Sequence, residues 1–252
     1  MKALIIIPTY NERENITRVL TKIIDIIPQV DILVVDDRSP DGTGQVVREF
    51  AQTTLSNVML LERKGERGLG NAYRAGLQHG LAEGYEVLLT MDADLSHNPV
   101  YLPEIFSALE THDVVIGCRY TWDGGTINWR IRRILLSWLA NRFARFVLGV
   151  KGNDLTSGYR AYRREILEAI NLDQVRSNGY SYLVEMLYWA QRKNAKIAEI
   201  PIIFFDRTRG ESKISKKEIY KGAFTLIRLR FTKKNDCLRQ PGGSFEQIKP
   251  RA

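Results

Sequence analysis

Two carboxylates one residue apart, Asp92 and Asp94, follow the apolar run Val87-Leu88-Leu89-Thr90-Met91. A run of this kind ending in acid reads as a buried strand emerging at a sheet edge. The strand itself has no use for two acids at its carboxyl end. A divalent cation that must also hold phosphate oxygens does. Side chains of an extended segment return to one side every second residue, so both acids can reach one ion. Ser96 continues the alternation and offers a hydroxyl. Mg2+ or Mn2+ held in this way takes one or two protein carboxylates and completes its shell with water and substrate phosphate. An Asp-x-Asp pair alone also suits a turn; its place at a strand terminus favours the metal.

Asp36-Asp37 repeats the pattern after another apolar run. Here an acid accepting hydrogen bonds from a base or ribose is the stronger reading. Asp41-Gly42 is turn chemistry, with Asp41 as an Asx turn or helix cap. Gly68-Leu69-Gly70-Asn71 lacks both full phosphate-loop patterns and reads as a tight strand-to-helix turn. His79 and His112 lie in helical stretches and are expected at the surface, while His97 follows the acidic motif without a required titration.

The elements that must position these groups alternate. Apolar runs at Ala3–Pro8, Asp31–Val35, Val58–Leu61, Val87–Met91 and Val114–Gly117 are separated by segments of helical spacing. In the first of these, Ile16, Val19, Leu20, Ile23, Ile24 and Ile27 fall on one helix face, with Asn11 and Glu14 expected as its N-terminal cap pair. This pattern predicts an α/β fold, a mostly parallel sheet flanked by helices, with ligands outside the carboxyl ends of the strands. Polar clusters follow four of those ends: Pro8-Thr9-Tyr10-Asn11-Glu12, Asp36–Thr43, Asp92–His97 and Arg119-Tyr120.

Length and charge narrow the reading. The chain has 252 residues and two cysteines, Cys118 and Cys237, too few for a disulfide framework. No secretory leader and no spanning run of about 18 apolar residues is expected. Residues 201–252 hold 13 Lys/Arg against 5 Asp/Glu, and residues 1–200 hold 24 of each, so the net +8 sits at the C-terminal end. That asymmetry points to an anionic partner. A nucleic acid is disfavoured because acidic strand ends would repel its backbone. Residues 130–148 and 219–234 mix Arg/Lys with large apolar residues, as helices lying in a membrane interface do; a core helix with a solvated basic face is the alternative. The expected organisation is one domain over 1–232 in two halves, 1–120 and 121–232, the second facing the membrane interface. A polar, disordered tail is expected over 233–252.

Four motifs occur in order: Pro8-Thr9-Tyr10-Asn11-Glu12, Asp36-Asp37-x-Ser39-Pro40-Asp41-Gly42-Thr43, Met91-Asp92-Ala93-Asp94-Leu95-Ser96-His97 and Asp206-Arg207-x-x-Gly210-Glu211-Ser212-Lys213. Together they resemble the inverting family 2 glycosyltransferases, and the last motif with Asp154-Leu155-Thr156-Ser157-Gly158-Tyr159-Arg160 resembles their polyprenyl-phosphate (dolichyl-phosphate) mannose synthase branch. The resemblance covers about residues 3–230 and implies a GT-A, Rossmann-like fold with C-terminal interface helices. It implies transfer of mannose from GDP-mannose to a polyprenyl phosphate with inversion; a UDP-glucose-using polyprenyl-phosphate glucose synthase, or another family 2 transferase, stays open. By the same resemblance Pro8, Tyr10, Glu12, Val35 and Asp37 hold the nucleoside. Asp92, Ala93, Asp94 and Ser96 line the diphosphate and metal site, with Asp94 and Ser96 as metal ligands and Asp92 as a further candidate. Arg119, Arg133, Ser137, Arg207 and Lys213 surround the phosphates of donor and acceptor: Arg119, Arg207 and Lys213 on the donor, Arg119, Arg133, Ser137 and Arg207 on the acceptor. The implied catalytic set is Asp94, Arg119, Arg133 and Arg207. Some relatives carry Gln at the position of Ser96.

A lipid phosphate acceptor has a second pKa of about 6 and is largely a dianion near neutral pH, so no general base is required. The reaction then needs charge management: arginines for the approach of two anions, and a metal for the leaving diphosphate. The implied location is the cytoplasmic face of a membrane, reached peripherally. Whether a small membrane-anchoring subunit also holds the chain stays open.

Overall fold

The structure is a computed structural model and describes residues 1–175, 177–206, 216–231 and 245–248. The five expected strands form: β1 (Ala3–Thr9), β2 (Asp31–Asp36), β3 (Val58–Glu62), β4 (Val87–Thr90) and β5 (Val114–Cys118). Helices α1 (Ile16–Ile26), α2 (Thr43–Thr53), α3 (Leu69–Ala82) and α4 (Leu102–Ala108) alternate with them. β1 pairs in parallel with both β2 and β4, and β2 with β3. The strand is apolar on both faces because both are covered. Leu4 and Ile6 face the cluster containing Tyr73 and Leu77 of α3, while Ile5 and Ile7 face Ile16, Val19, Leu20 and Ile23 of α1. These residues are almost fully buried, each worth about 1.5–3 kcal/mol of apolar burial.

The second half supplies what apolar runs did not reveal. β6 (Gly125–Ile127) and β9 (Ile203–Phe205) form a two-stranded parallel pair beside the main sheet. β7 (Arg160–Arg163) lies between β4 and β5 and runs antiparallel to both. β8 (Ile197–Pro201) extends the sheet in parallel beyond β5, and β10 (Phe245–Gln247) pairs with β8. The main sheet therefore has the order β10-β8-β5-β7-β4-β1-β2-β3 and is mostly parallel, as expected. Because β7 is reversed, its amino end reaches the same edge as the carboxyl ends of β4 and β5. Thr90 is opposite Arg160 across that register. The segment 154–159 thereby arrives at the ligand edge beside Asp92.

Three expectations are corrected. Asn11 does not cap α1. It sits at φ +60°, the helix starts after Asn15, and the Glu12 carbonyl accepts from the Asn15 and Ile16 amides. His112 is buried, its Nδ1 near the Ala108 carbonyl and its Nε2 3.2 Å from Glu246. Glu246 lies in β10, so part of the tail expected to be disordered completes the sheet; residues 232–244 and 249–252, Cys237 among them, lie outside the described residues.

Helices α6 (Arg164–Ile170) and α7 (Tyr180–Arg192) cover the sheet on the α3 side. α5 (Ile131–Leu148) is placed differently. Only Asn141, Ala144 and Leu148 of it are buried. Gly149, at φ +68°, ends it in the left-handed conformation that suits glycine. α8 (Lys216–Phe231) packs against α5 and α7.

Candidate active site

The side of the edge expected to take a nucleoside is built from β1 and β2. Pro8 and Val35 are register partners on neighbouring strands, and the Asp37 amide donates to the Thr9 carbonyl. Asp36 is buried and structural: it accepts from the Thr9 hydroxyl at 2.8 Å and from the Ser39 amide at 2.8 Å. Asp37 is held by the Arg63 guanidinium and by the Gly68 amide at 2.9 Å. Tyr10 is 39% exposed, with the Arg67 guanidinium over its ring at 4.1 Å. The Glu12 amide donates to Thr43. Asp41 is the expected Asx cap, accepting from the Thr43 amide and hydroxyl. Burial works against its ionisation, but those Thr43 bonds and the Arg13 amide hold its carboxyl below the usual range.

The acidic edge follows β4. Asp94 and Ser96 are buried, and the Ser96 amide and hydroxyl both donate to Asp94 Oδ1. Leu95 between them takes φ +63°, which turns the chain so that the two side chains meet. Ala93 is buried beneath them. Asp92 has 30% of its side chain exposed; its amide donates to His97 Nδ1 at 2.9 Å, and its Oδ1 accepts from the Tyr73 hydroxyl at 3.0 Å. With Nδ1 accepting, the His97 ring carries its proton on Nε2, and the 3.7 Å approach of Nδ1 to Asp92 Oδ2 is a contact rather than an ion pair. Among the described residues no group of three or more His, Cys, Asp or Glu side chains is arranged to hold a metal ion. Asp92, Asp94 and the Ser96 hydroxyl thus suit an ion that draws the rest of its shell from phosphate and water.

The basic side is joined to the acidic one by aromatic rings. His97 stacks on Tyr159 at 5.0 Å and meets Phe204 edge-on at 5.5 Å; Phe204 meets Trp129 edge-on at 5.3 Å. The Arg119 guanidinium lies 5.4 Å from Phe204 and 5.1 Å from Trp129, and that of Arg133 lies 4.0 Å from Trp129. Both arginines already have carboxylate partners. Arg119 forks onto Asp154 through Nε and Nη2, each at 2.6 Å, and its Nη2 also donates to Thr156. Burial alone would weaken both charges, yet each holds the other ionised, with Asp154 below and Arg119 above the ordinary range. Arg133 donates to Asp206 at 2.6 Å, in a pair whose side chains are 24% and 28% exposed. Ser137 is half-buried on α5, one turn after Arg133. Burial raises the Tyr120 phenol, opposed by the Arg119 charge and by the Ser137 side chain beside it.

Glu199 of β8 underlies this side. Fully buried, it accepts from the Asn153 amide at 2.7 Å and the Asp154 amide at 3.0 Å. Asn141 of α5 accepts from the Leu155 amide at 2.7 Å, tying α5 to the same loop. Arg207 and Lys213 lie outside the described residues. The structure thus brings Asp92, Asp94, Ser96, Arg119 and Arg133 to one edge, with Pro8, Tyr10, Val35 and Asp37 alongside. Sequence reasoning missed Tyr73, Arg63, Arg67 and Trp129. Each enters from an element whose register no spacing rule reveals, and only the glycines at 68 and 70 hinted that α3 starts close to the site.

α5 presents an unusual surface. Ile131, Leu135, Leu136, Trp138, Leu139, Phe143 and Phe146 are all exposed, Phe146 by 87%. Phe224, Ile227 and Phe231 of α8 and Trp122 of the loop before β6 are exposed too. Among the described residues no helix is long and apolar enough to cross a membrane.

Comparison with known proteins identifies the family and the fold. Residues 4–170 match the family described as Glycosyl transferase family 2. An undecaprenyl-phosphate mannosyltransferase of Micrococcus luteus is 45% identical over 218 residues, 85% of this chain and 88% of that protein. A polyprenol monophosphomannose synthase of Mycolicibacterium smegmatis is 45% identical over 226 residues, 89% of this chain and 85% of that protein. Glucosyl-3-phosphoglycerate synthase of Mycobacterium tuberculosis, solved with Mn2+, uridine diphosphate and phosphoglyceric acid, shares the fold: its TM-score is 0.65 at 18% identity, covering 93% of this chain and 80% of that one. By its strand-end motifs, its sheet and these relatives, the chain belongs to glycosyl transferase family 2.

Proposed function

We propose that the chain transfers mannose from GDP-mannose to a polyprenyl phosphate with inversion at the anomeric carbon. The observation that carries this is a single edge with acids on one side and arginines on the other, joined by His97, Phe204 and Trp129. The 45% identity to two polyprenyl-phosphate mannosyltransferases supports the choice of sugar and acceptor.

Asp94 and Ser96, with Asp92 beside them, would hold Mg2+ or Mn2+. When bound, the ion supplies a positive charge for the leaving diphosphate. Pro8, Tyr10, Glu12, Val35 and Asp37 seat the nucleoside, and Arg207 and Lys213 complete the phosphate contacts. The two described arginines divide their work. The Arg119–Asp154 pair is buried and forked, so it is not exchanged; Arg119 forms a fixed wall and offers the donors that the fork leaves over. The Arg133–Asp206 pair is partly solvated, and a phosphate dianion can take the place of Asp206 at modest cost. Arg133, with Ser137 one turn away, is therefore the residue that receives the acceptor phosphate. The acceptor attacks as a dianion, and no side chain needs to remove a proton.

The exposed apolar face of α5 and α8, flanked by Arg130, Arg132, Arg142, Arg228 and Arg230, suits an anionic membrane surface on the cytoplasmic side. A polyprenyl chain would then lie in the bilayer with its phosphate beside Arg133. Incubation of the protein with labelled GDP-mannose or UDP-glucose, Mg2+ and a short polyprenyl phosphate tests the reading. A mannolipid formed with a β linkage is expected; no lipid product, or a preference for UDP-glucose, overturns it.

A further inference from the structure

Tyr73 stands in the second turn of α3, fully buried, with its ring against Tyr182 at a centroid distance of 6.3 Å. Its hydroxyl reaches the acidic edge and donates to Asp92 Oδ1 at 3.0 Å. Room for that bond is provided by Gly158. A Cβ at residue 158 would lie 2.6 Å from the Tyr73 oxygen, 3.5 Å from Asp92 Oδ1 and 3.5 Å from His97 Cε1. The Gly158 carbonyl is itself fixed, accepting from the Thr90 hydroxyl at 2.8 Å. The Asp92 backbone is fixed as well, through its amide on a His97 ring packed between Tyr159 and Phe204.

We infer that Tyr73 is a positioning residue for the Asp92 carboxylate: its phenol anchors Oδ1, through a gap kept open by Gly158, so that Oδ2 is held in one orientation for a divalent cation and diphosphate. This rests on reading Asp92 and Asp94 as the cation-binding edge. A carboxylate on an exposed turn loses rotamer freedom when it must meet an ion; a buried, rigid donor removes that freedom beforehand. Gly68, the N-cap of the same helix, holds Asp37 through its amide at 2.9 Å. α3 thus supports the nucleoside acid with its cap and the diphosphate acid with its second turn.

Tyr73→Phe keeps the ring and removes only the bond. Mn2+ is titrated into the full-length protein with GDP present, and the free ion is read by electron paramagnetic resonance. Melting temperature and the Mn2+ dependence of kcat and KM are measured alongside. The expected result is roughly 10–100-fold weaker Mn2+ binding at an essentially unchanged melting temperature. Gly158→Ala, which would displace the hydroxyl, should reproduce the loss. Asp92→Asn separates the two ideas. If Asp92→Asn weakens Mn2+ binding and Tyr73→Phe does not, the positioning role is overturned while the cation reading stands. If neither variant weakens it, both are overturned.

Discussion

Arg119 and Asp154 meet through two bonds of equal length, 2.6 Å each, at a point where Asp154 has no solvent exposure. The pair joins the end of β5 to the loop before β7, so it fixes the two walls of the basic side against each other. Removing the acid strands a buried cation. Asp154→Ala should cost about 3–5 kcal/mol, a fall in melting temperature on the order of 10 °C. Calorimetry checks this, and a shift below about 2 °C would mean that the pair is solvated in solution.

Asp94→Ala is expected to leave the fold in place, since the loss is confined to the short turn that Ser96 closes. Turnover should fall at least ~100-fold, corresponding to about 3 kcal/mol of lost charge stabilisation. A variant retaining more than a tenth of the wild-type rate at saturating Mg2+ would argue against an ion at this edge.

The α5 surface makes a prediction that separates binding from folding. Leu139 and Phe146 are 52% and 87% exposed, so the double change Leu139→Glu, Phe146→Glu should leave the melting temperature nearly unchanged. Each side chain contributes at least about 1.5 kcal/mol when it enters an apolar phase, so partitioning onto anionic liposomes should weaken by roughly 100-fold. Activity on a short, water-soluble acceptor should persist while activity on a long-chain acceptor falls. Unaltered co-sedimentation would return α5 to a solvated face.

Glu199 gives a pH dependence of defined sign. Burial, the largest influence, raises its carboxyl above the ordinary value of 4.5, against the opposing bonds from Asp154 and Asn153. A carboxyl with a raised folded pKa binds its proton more tightly in the native state. Its contribution to stability is therefore fully present below the unfolded value and lost as pH rises through the folded one. Glu199→Gln does not titrate, so the melting temperature of the variant should gain on the wild type as pH rises from about 4.5 through the folded value, and then run parallel. A constant difference across the series would show that the carboxyl is not perturbed.

Much of the edge was legible because it obeys short-range rules. Leu4–Ile7 is an uninterrupted apolar run buried on both faces, and Asp92 and Asp94 stand where such a run ends. β7 escaped notice because arginines bracket it. Arg160 is buried with its Nη groups on the carbonyls of Leu183 and Leu155, and Arg163 reaches the Leu109 carbonyl, partners that no local pattern announces. Glu199 hid β8 in the same way. The spacing of Asp92 and Asp94 was visible, but Tyr73 and Trp129 reach the site only through the register of distant elements. The solvent-facing side of α5 was equally ambiguous, because a periodic apolar stripe reads the same whether protein or lipid covers it.

The reversed strand between β4 and β5 has a consequence for how the chain is made. Until residues 160–163 have been synthesised, β4 and β5 have no common neighbour, and each presents an unpaired edge. At ~5–20 residues per second that interval lasts a few seconds, long compared with hydrophobic collapse. The nascent chain therefore waits with β1 to β4 paired and its central gap open, and the order of synthesis leaves closure of the sheet until late.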